Sequence, residues 1–155
     1  MTVYFVCVGN TCRSPMAAEL FNQMMLRLYI EDVKADSFGL MPFYSDSEEV
    51  KRFRESAVLR VTGFMNGLKG HRPKGIESIT FSDGDRIVLL DRNMLDPLIC
   101  AIQRRPSFNM KHVPVVVIDI NDPFGGGPKD YFDCCATLND IINSNFNVIV
   151  GKACA

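Results

Sequence analysis

A change of period near the start constrains this chain most. Residues 2–8, TVYFVCV, form an unbroken run of apolar, β-branched and aromatic residues. That fits a strand covered on both faces. Gly9-Asn10 ends the run, and Ser14-Pro15 offers a hydroxyl at a helix N-cap with proline at the first helical position. Ala17, Leu20, Phe21, Met24 and Leu28 then recur at helical spacing, which predicts a helix to about Leu28. The loop between these elements lies beyond the carboxyl end of a strand, where open α/β sheets bind ligands.

The alternation continues. A second strand is expected over residues 33–38, before a loop with Gly39 and Pro42. Ser47 can cap a helix carrying Val50, Phe53, Ala57, Val61 and Phe64 and ending near Gly67. RIVLL (86–90) predicts a third strand, RNMLDPLICAI begins the next helix, and VPVVVI (113–118) predicts a fourth strand. Tyr131, Cys135, Leu138 and Ile142 mark a final helix, while the tail NVIVGKACA fits an extra edge strand or a frayed end. This pattern predicts one α/β domain over residues 1–155, with a parallel sheet and helices on both faces.

Composition narrows the function. A net charge of −1 draws the chain neither to nucleic acid nor to anionic membrane. No apolar stretch approaches the ~18 residues of a membrane span. The opening MTVYFVCVGN lacks a basic region and a small-residue cleavage site, so no signal peptide is read there. The six cysteines (Cys7, Cys12, Cys100, Cys134, Cys135 and Cys154) are therefore expected as reduced thiols of a cytoplasmic protein.

The first loop carries the chemistry. A loop curling before a helix can turn successive backbone N–H groups inward as an anion nest, and the helix N-terminus adds partial positive charge. Arg13 supplies a planar fork of donors matching phosphate oxygens, and Gly9 removes the Cβ where the chain curls closely. Cys7 opens the nest, which would favour its thiolate. A thiolate inside such a ring of donors is a covalent phosphoryl-transfer site. Alternatively, Cys7 is a buried strand residue and Arg13 a surface cation. Cys7 and Cys12, with four residues between them and no nearby histidine, do not suit zinc. A nucleotide P-loop fails for want of its lysine.

FVCVGNTCRSPMAAELF resembles the signature of low-molecular-weight protein tyrosine phosphatases, and the order of elements agrees along nearly the whole chain. The resemblance implies a four-stranded sheet in the order 2-1-3-4, no metal and no cofactor. It makes Cys7 the nucleophile, Arg13 the phosphate binder, and Ser14 the donor that stabilises the thiolate. Val8, Gly9, Asn10, Thr11 and Cys12 would line the phosphate, with Asn10 networked to Ser37 and His71. INDPFGGGP supplies the family's Asp-Pro-aromatic motif, with Asp122 as general acid and base and Asp119 as runner-up. In isolation NDPFGGGP would read as a turn. Asp91 either matches a family position near the site or caps a strand end. Phe43, Tyr44 and Phe124 are candidate pocket walls, with core or loop packing as the alternative for the first two. The expected partner is a phosphorylated protein acted on by a monomer, with phosphate or sulfate fitting the loop. His112 and the charges at Lys69–Lys74 and Arg104–Arg105 are expected to be solvated.

Three features depart from the tyrosine-specific pattern: Thr11 replaces an aliphatic residue, Gly125 replaces a second aromatic, and HRPKGI matches only partly. GNTCRSPM and DPFGG are similar to the branch that includes protein arginine phosphatases, since a threonine hydroxyl can accept from a guanidinium. Phosphotyrosine is the first expectation and phosphoarginine the alternative. A thioredoxin-coupled arsenate reductase would need a close mid-chain cysteine pair, but Cys100 stands alone there. A non-catalytic phosphopeptide-binding module would have no reason to hold both Cys7 and Asp122. Finally, the curl of the loop would bring Cys12 near Cys7, so that peroxide converts Cys7 to a sulfenic acid which Cys12 captures as a disulfide. The alternative is that Cys12 only packs under the loop.

Overall fold

The computed structural model describes residues 1–44, 46–64, 67–105 and 113–152. His112 and Cys154 lie outside the described residues. Strands β1 (Thr2–Cys7), β2 (Lys34–Gly39), β3 (Arg86–Leu89) and β4 (Val115–Val117) form one parallel sheet in the order β2-β1-β3-β4. The unbroken apolar runs follow from that placement. From β1, Val3, Phe5 and Cys7 enter one core while Tyr4 and Val6 enter the other; around β3, Val88 and Leu90 divide from Ile87 and Leu89 in the same way.

The first core is covered by α1 (Arg13–Arg27), α2 (Glu48–Thr62), α4 (Pro128–Ser144) and the short α5 (Phe146–Val150). The second is covered by α3 (Leu95–Gln103) through Leu98 and Ile102. Phe5 and Phe21 meet at 5.8 Å between ring centres with no exposed surface. Truncating Phe21 to alanine is therefore expected to cost about 3–5 kcal/mol.

Several boundaries differ from the sequence expectation for identifiable reasons. Helix α1 starts at Arg13 with Cys12 at its N-cap, because the Ser14 hydroxyl is bonded to Cys7 instead of capping. Helix α2 is capped by Ser47, whose Oγ accepts from Val50 N–H, but it ends at Gly63 rather than Gly67. Gly63 has a left-handed φ of 72°, and Phe64 lies beyond the helix, exposed. Strand β4 keeps only three residues of 113–118, although Ile118 and Ile120 still donate to Leu89 O and Leu90 O. Tail residues 147–150 belong to helix α5 rather than to an edge strand, and residues 153–155 lie outside the described residues. Two expected surface cations are tied down: Arg105 donates to the carbonyls of Ile76 and Ile79, and Lys74 Nζ pairs with Asp36 at 2.7 Å.

Candidate active site

The loop between β1 and α1 passes close over the end of β2. A Cβ on Gly39 would lie 2.6 Å from Val8 O and 2.9 Å from Asn10 N, so only glycine lets the backbones approach. Asn10 has φ 56°, a left-handed conformation that costs a non-glycine residue of order 1 kcal/mol or more. Four hydrogen bonds hold it there. Its Nδ2 donates to Ser14 Oγ (2.9 Å) and Ser37 Oγ (3.0 Å), its Oδ1 accepts from Lys74 N–H (2.9 Å), and its carbonyl accepts from His71 Nε2 (2.8 Å). Because a carbonyl only accepts, His71 carries its proton on Nε2. Burial pushes the imidazole below its ordinary titration range, so it is neutral near pH 7.

Ser14 Oγ lies 2.9 Å from Cys7 Sγ. Since Ser14 already accepts from Asn10, its own proton is free for the sulfur. The buried Arg13 guanidinium sits between two carboxylates. Nη1 donates to Ile120 O (2.9 Å) and Asp91 Oδ2 (3.2 Å), and Nη2 donates to Asp122 Oδ2 (3.1 Å). Its Nε is buried with no hydrogen-bond partner. Asp91 serves both readings at once, since its other oxygen accepts from Asn93 N–H in a short 3-10 turn.

A cleft of about 200 Å³ is lined by Cys7, Val8, Gly9, Thr11, Cys12, Arg13, Phe43, Asp91, Asp122 and Phe124. Asn10, Ser14, Ser37 and His71 sit behind that lining, joined by the network above. Phe43 and Phe124 stack over the cleft with ring centres 5.7 Å apart and planes 19° from parallel. Phe43 can lie there because Gly9 has no Cβ; one would meet its ring at 2.5 Å. Two candidates join neither the cleft lining nor the network behind it. Tyr44 is exposed and donates its hydroxyl to Glu77 at 2.8 Å. Asp119 accepts from Arg92 N–H and lines a neighbouring cavity with Asp130, Asp133 and Cys134, which shares Asp122 with the cleft.

Cys12 Sγ lies 3.1 Å from Tyr131 Oη, and burial pushes its thiol up to about 11. It therefore stands as a neutral thiol under the loop. The cysteines in the described residues are all free, with Cys100 exposed on α3 and Cys134 and Cys135 buried on α4. Among the described residues there is no cluster of three or more His, Cys, Asp or Glu side chains able to hold a metal. No described helix is long and apolar enough to cross a membrane.

Sequence reasoning missed Arg54 and Asp46. Arg54, with no exposed surface, donates Nη1 to the Thr11 carbonyl at 3.1 Å and is paired with Asp46. A loop that turns N–H groups inward must direct carbonyls outward, and Arg54 receives one of them. The signal was available. Arg54 stands four residues after Val50 and four before Val58, in register with the apolar stripe of α2, where a cation needs a buried partner.

The comparisons agree with this architecture. The family model described as low molecular weight phosphotyrosine protein phosphatase matches residues 2–150. A low molecular weight protein-tyrosine-phosphatase of Streptomyces coelicolor is 33% identical over 146 residues, covering 85% of this chain and 83% of that protein. Among solved structures, the low molecular weight protein tyrosine phosphatase from T. tengcongensis superposes with a TM-score of 0.73 at 24% identity, over 96% of this chain and 99% of that one. The arginine phosphatase YwlE from Geobacillus stearothermophilus shares the fold with a TM-score of 0.62 at 24% identity, over 99% and 97% of the two chains. The chain belongs to the low molecular weight phosphotyrosine protein phosphatase family, a family of hydrolytic enzymes.

Proposed function

We propose that this protein hydrolyses phosphotyrosine in protein substrates, through a phosphocysteine on Cys7. The observation that carries the reading is the convergence of Cys7, Arg13 and Asp122 on one small cleft, with Ser14 Oγ 2.9 Å from the sulfur. In the first step the Cys7 thiolate attacks phosphorus and forms the S–P bond. The ester P–O bond breaks, and Asp122 gives its proton to the departing phenolic oxygen. In the second step Asp122 takes a proton from water, whose oxygen attacks phosphorus. The S–P bond breaks, releasing phosphate and the thiolate. Arg13 offers its unpartnered Nε, beside the loop amides, to the equatorial oxygens. An arriving phosphate dianion competes with Asp122 for Arg13.

One observation favours a second reading, phosphoarginine hydrolysis: Thr11 lines the cleft, where its hydroxyl can accept from a guanidinium. Turnover of phosphotyrosine and phosphoarginine peptides by the wild type and Thr11→Ile decides between them. Phosphotyrosine hydrolysis that persists or improves in the variant supports the first reading. A dominant phosphoarginine activity, lost in Thr11→Ile, supports the second. The same proposal takes residues 1–155 as one cytoplasmic, monomeric phosphatase domain needing no cofactor, with Cys12 as the thiol that captures oxidised Cys7.

A further inference from the structure

We propose that a second cavity, beside the catalytic cleft, receives a basic side chain of the phosphorylated polypeptide, a lysine or arginine next to the phosphorylated residue; this rests on the phosphatase reading above. The cavity measures about 400 Å³ and shares the wall formed by Thr11, Phe43 and Phe124 with the cleft. A chain whose phosphorylated residue enters the cleft therefore has its neighbouring side chain at this opening.

The lining selects the chemistry. Val50, Phe53 and the two stacked phenylalanines give apolar surface suited to a methylene stem, while Asp46 and Glu49 supply carboxylates and no lysine or arginine is among the lining residues. Lys and Arg are the side chains that combine such a stem with a cationic head. Asp46 is the sharper indicator. Its side chain is 3% exposed and Oδ2 pairs with Arg54, while Oδ1, like Nε and Nη2 of Arg54 in the same pair, is buried with no hydrogen-bond partner. A buried carboxylate oxygen without a donor is destabilising until one reaches it. Glu48 and Glu49 also complement the N-terminus of α2, but that role does not explain the unpartnered oxygen of Asp46. Nor does the cleft offset the negative charge, because its Arg13 is already faced by Asp91 and Asp122.

The test uses peptides carrying a non-hydrolysable phosphonate analogue of phosphotyrosine, with Arg, Leu or Glu at the adjacent positions. Affinities are read by fluorescence anisotropy on the wild type and Glu49→Lys, with p-nitrophenyl phosphate turnover measured in parallel. At low ionic strength the Arg peptide is expected to bind roughly tenfold more tightly than the Glu peptide. The gap should narrow with salt and fall below about threefold in Glu49→Lys, with p-nitrophenyl phosphate turnover unchanged. An Arg-to-Glu ratio under about threefold in the wild type overturns the proposal. So does a ratio that survives Glu49→Lys, or a Leu peptide binding as tightly as the Arg peptide. Absent p-nitrophenyl phosphate turnover with the Arg preference intact removes the phosphatase reading and leaves the subsite.

Discussion

Residues 7–14 and residues 122–127 face each other across the cleft and are built differently. In the first, Cys7, Asn10, Arg13 and Ser14 are buried, and bonds arrive from β2, from α2 and from the segment around His71. In the second, the Asp122 side chain is 46% exposed and Phe124 is 56% exposed, and the loop's internal bonds are short-range. Phe124 N–H meets Asp122 Oδ1, Gly126 N–H meets Pro123 O, and Gly125 has a left-handed φ of 87°. The difference matches the two tasks that the proposed mechanism assigns to these sides. A cradle for phosphate oxygens gains from donors that are fixed before the ligand arrives, since reorganising them would raise the barrier. A residue that first gives and then takes a proton gains from access to solvent and freedom to leave Arg13.

If the contrast is functional, substitutions on the two sides fail in different ways. The largest expected effect is Cys7→Ser, which should lower turnover by about 10⁴-fold or more while inorganic phosphate still binds. A variant retaining above about a thousandth of the wild-type rate would remove Cys7 as nucleophile. Asp122→Asn should cost about 10²–10⁴-fold on phosphotyrosine but far less on aryl phosphates with activated leaving groups. Equal losses across a leaving-group series would break the assignment of Asp122.

Arg54→Met tests the fixed side at a distance from the chemistry. It strips the Thr11 carbonyl of a donor and leaves Asp46 buried and unpaired, with an expected loss of about 3–5 kcal/mol in stability. Denaturant unfolding reads that loss, and a change below about 1 kcal/mol would show the pair to be dispensable. The smallest effect concerns His71. Burial lowers its proton affinity in the fold below the ordinary value of 6.5, so the unfolded chain binds the proton more readily. The stability held by neutral His71 is full above pH 6.5 and is lost as pH falls through the lower folded value. His71→Gln should flatten that part of the stability–pH curve, and an unchanged slope would assign it to other groups.

The legibility of the sequence followed the same division. Strands β1 and β3 could be read because their apolar runs are buried on both faces, and the loop because Cys7, Gly9, Arg13 and Ser14 have recognisable phosphate chemistry. What escaped was set by distant partners. Nothing local to Arg54, Lys74, Arg105 or Tyr131 names the groups they bind, which are Thr11 O, Asp36, Ile76 O and Cys12. The N-cap expectation at Ser14 failed for a related reason. Propensity sees a hydroxyl beside a helix start, while the fold offers that hydroxyl a sulfur 2.9 Å away. Tyr44, read as a pocket wall, found Glu77 instead.

A covalent phosphocysteine, made on the fixed side and resolved from the exposed side, is the central step of the proposed mechanism. Rapid acid quenching of Asp122→Asn with an activated aryl phosphate, followed by peptide mapping, tests this most directly. With water attack slowed and the leaving group needing little help, phosphate should accumulate on the peptide containing Cys7, bound to its sulfur, while the phenol appears in a burst matching the enzyme concentration. Phosphate on any other residue, or a steady state with no burst and no phosphorylated peptide, would contradict it.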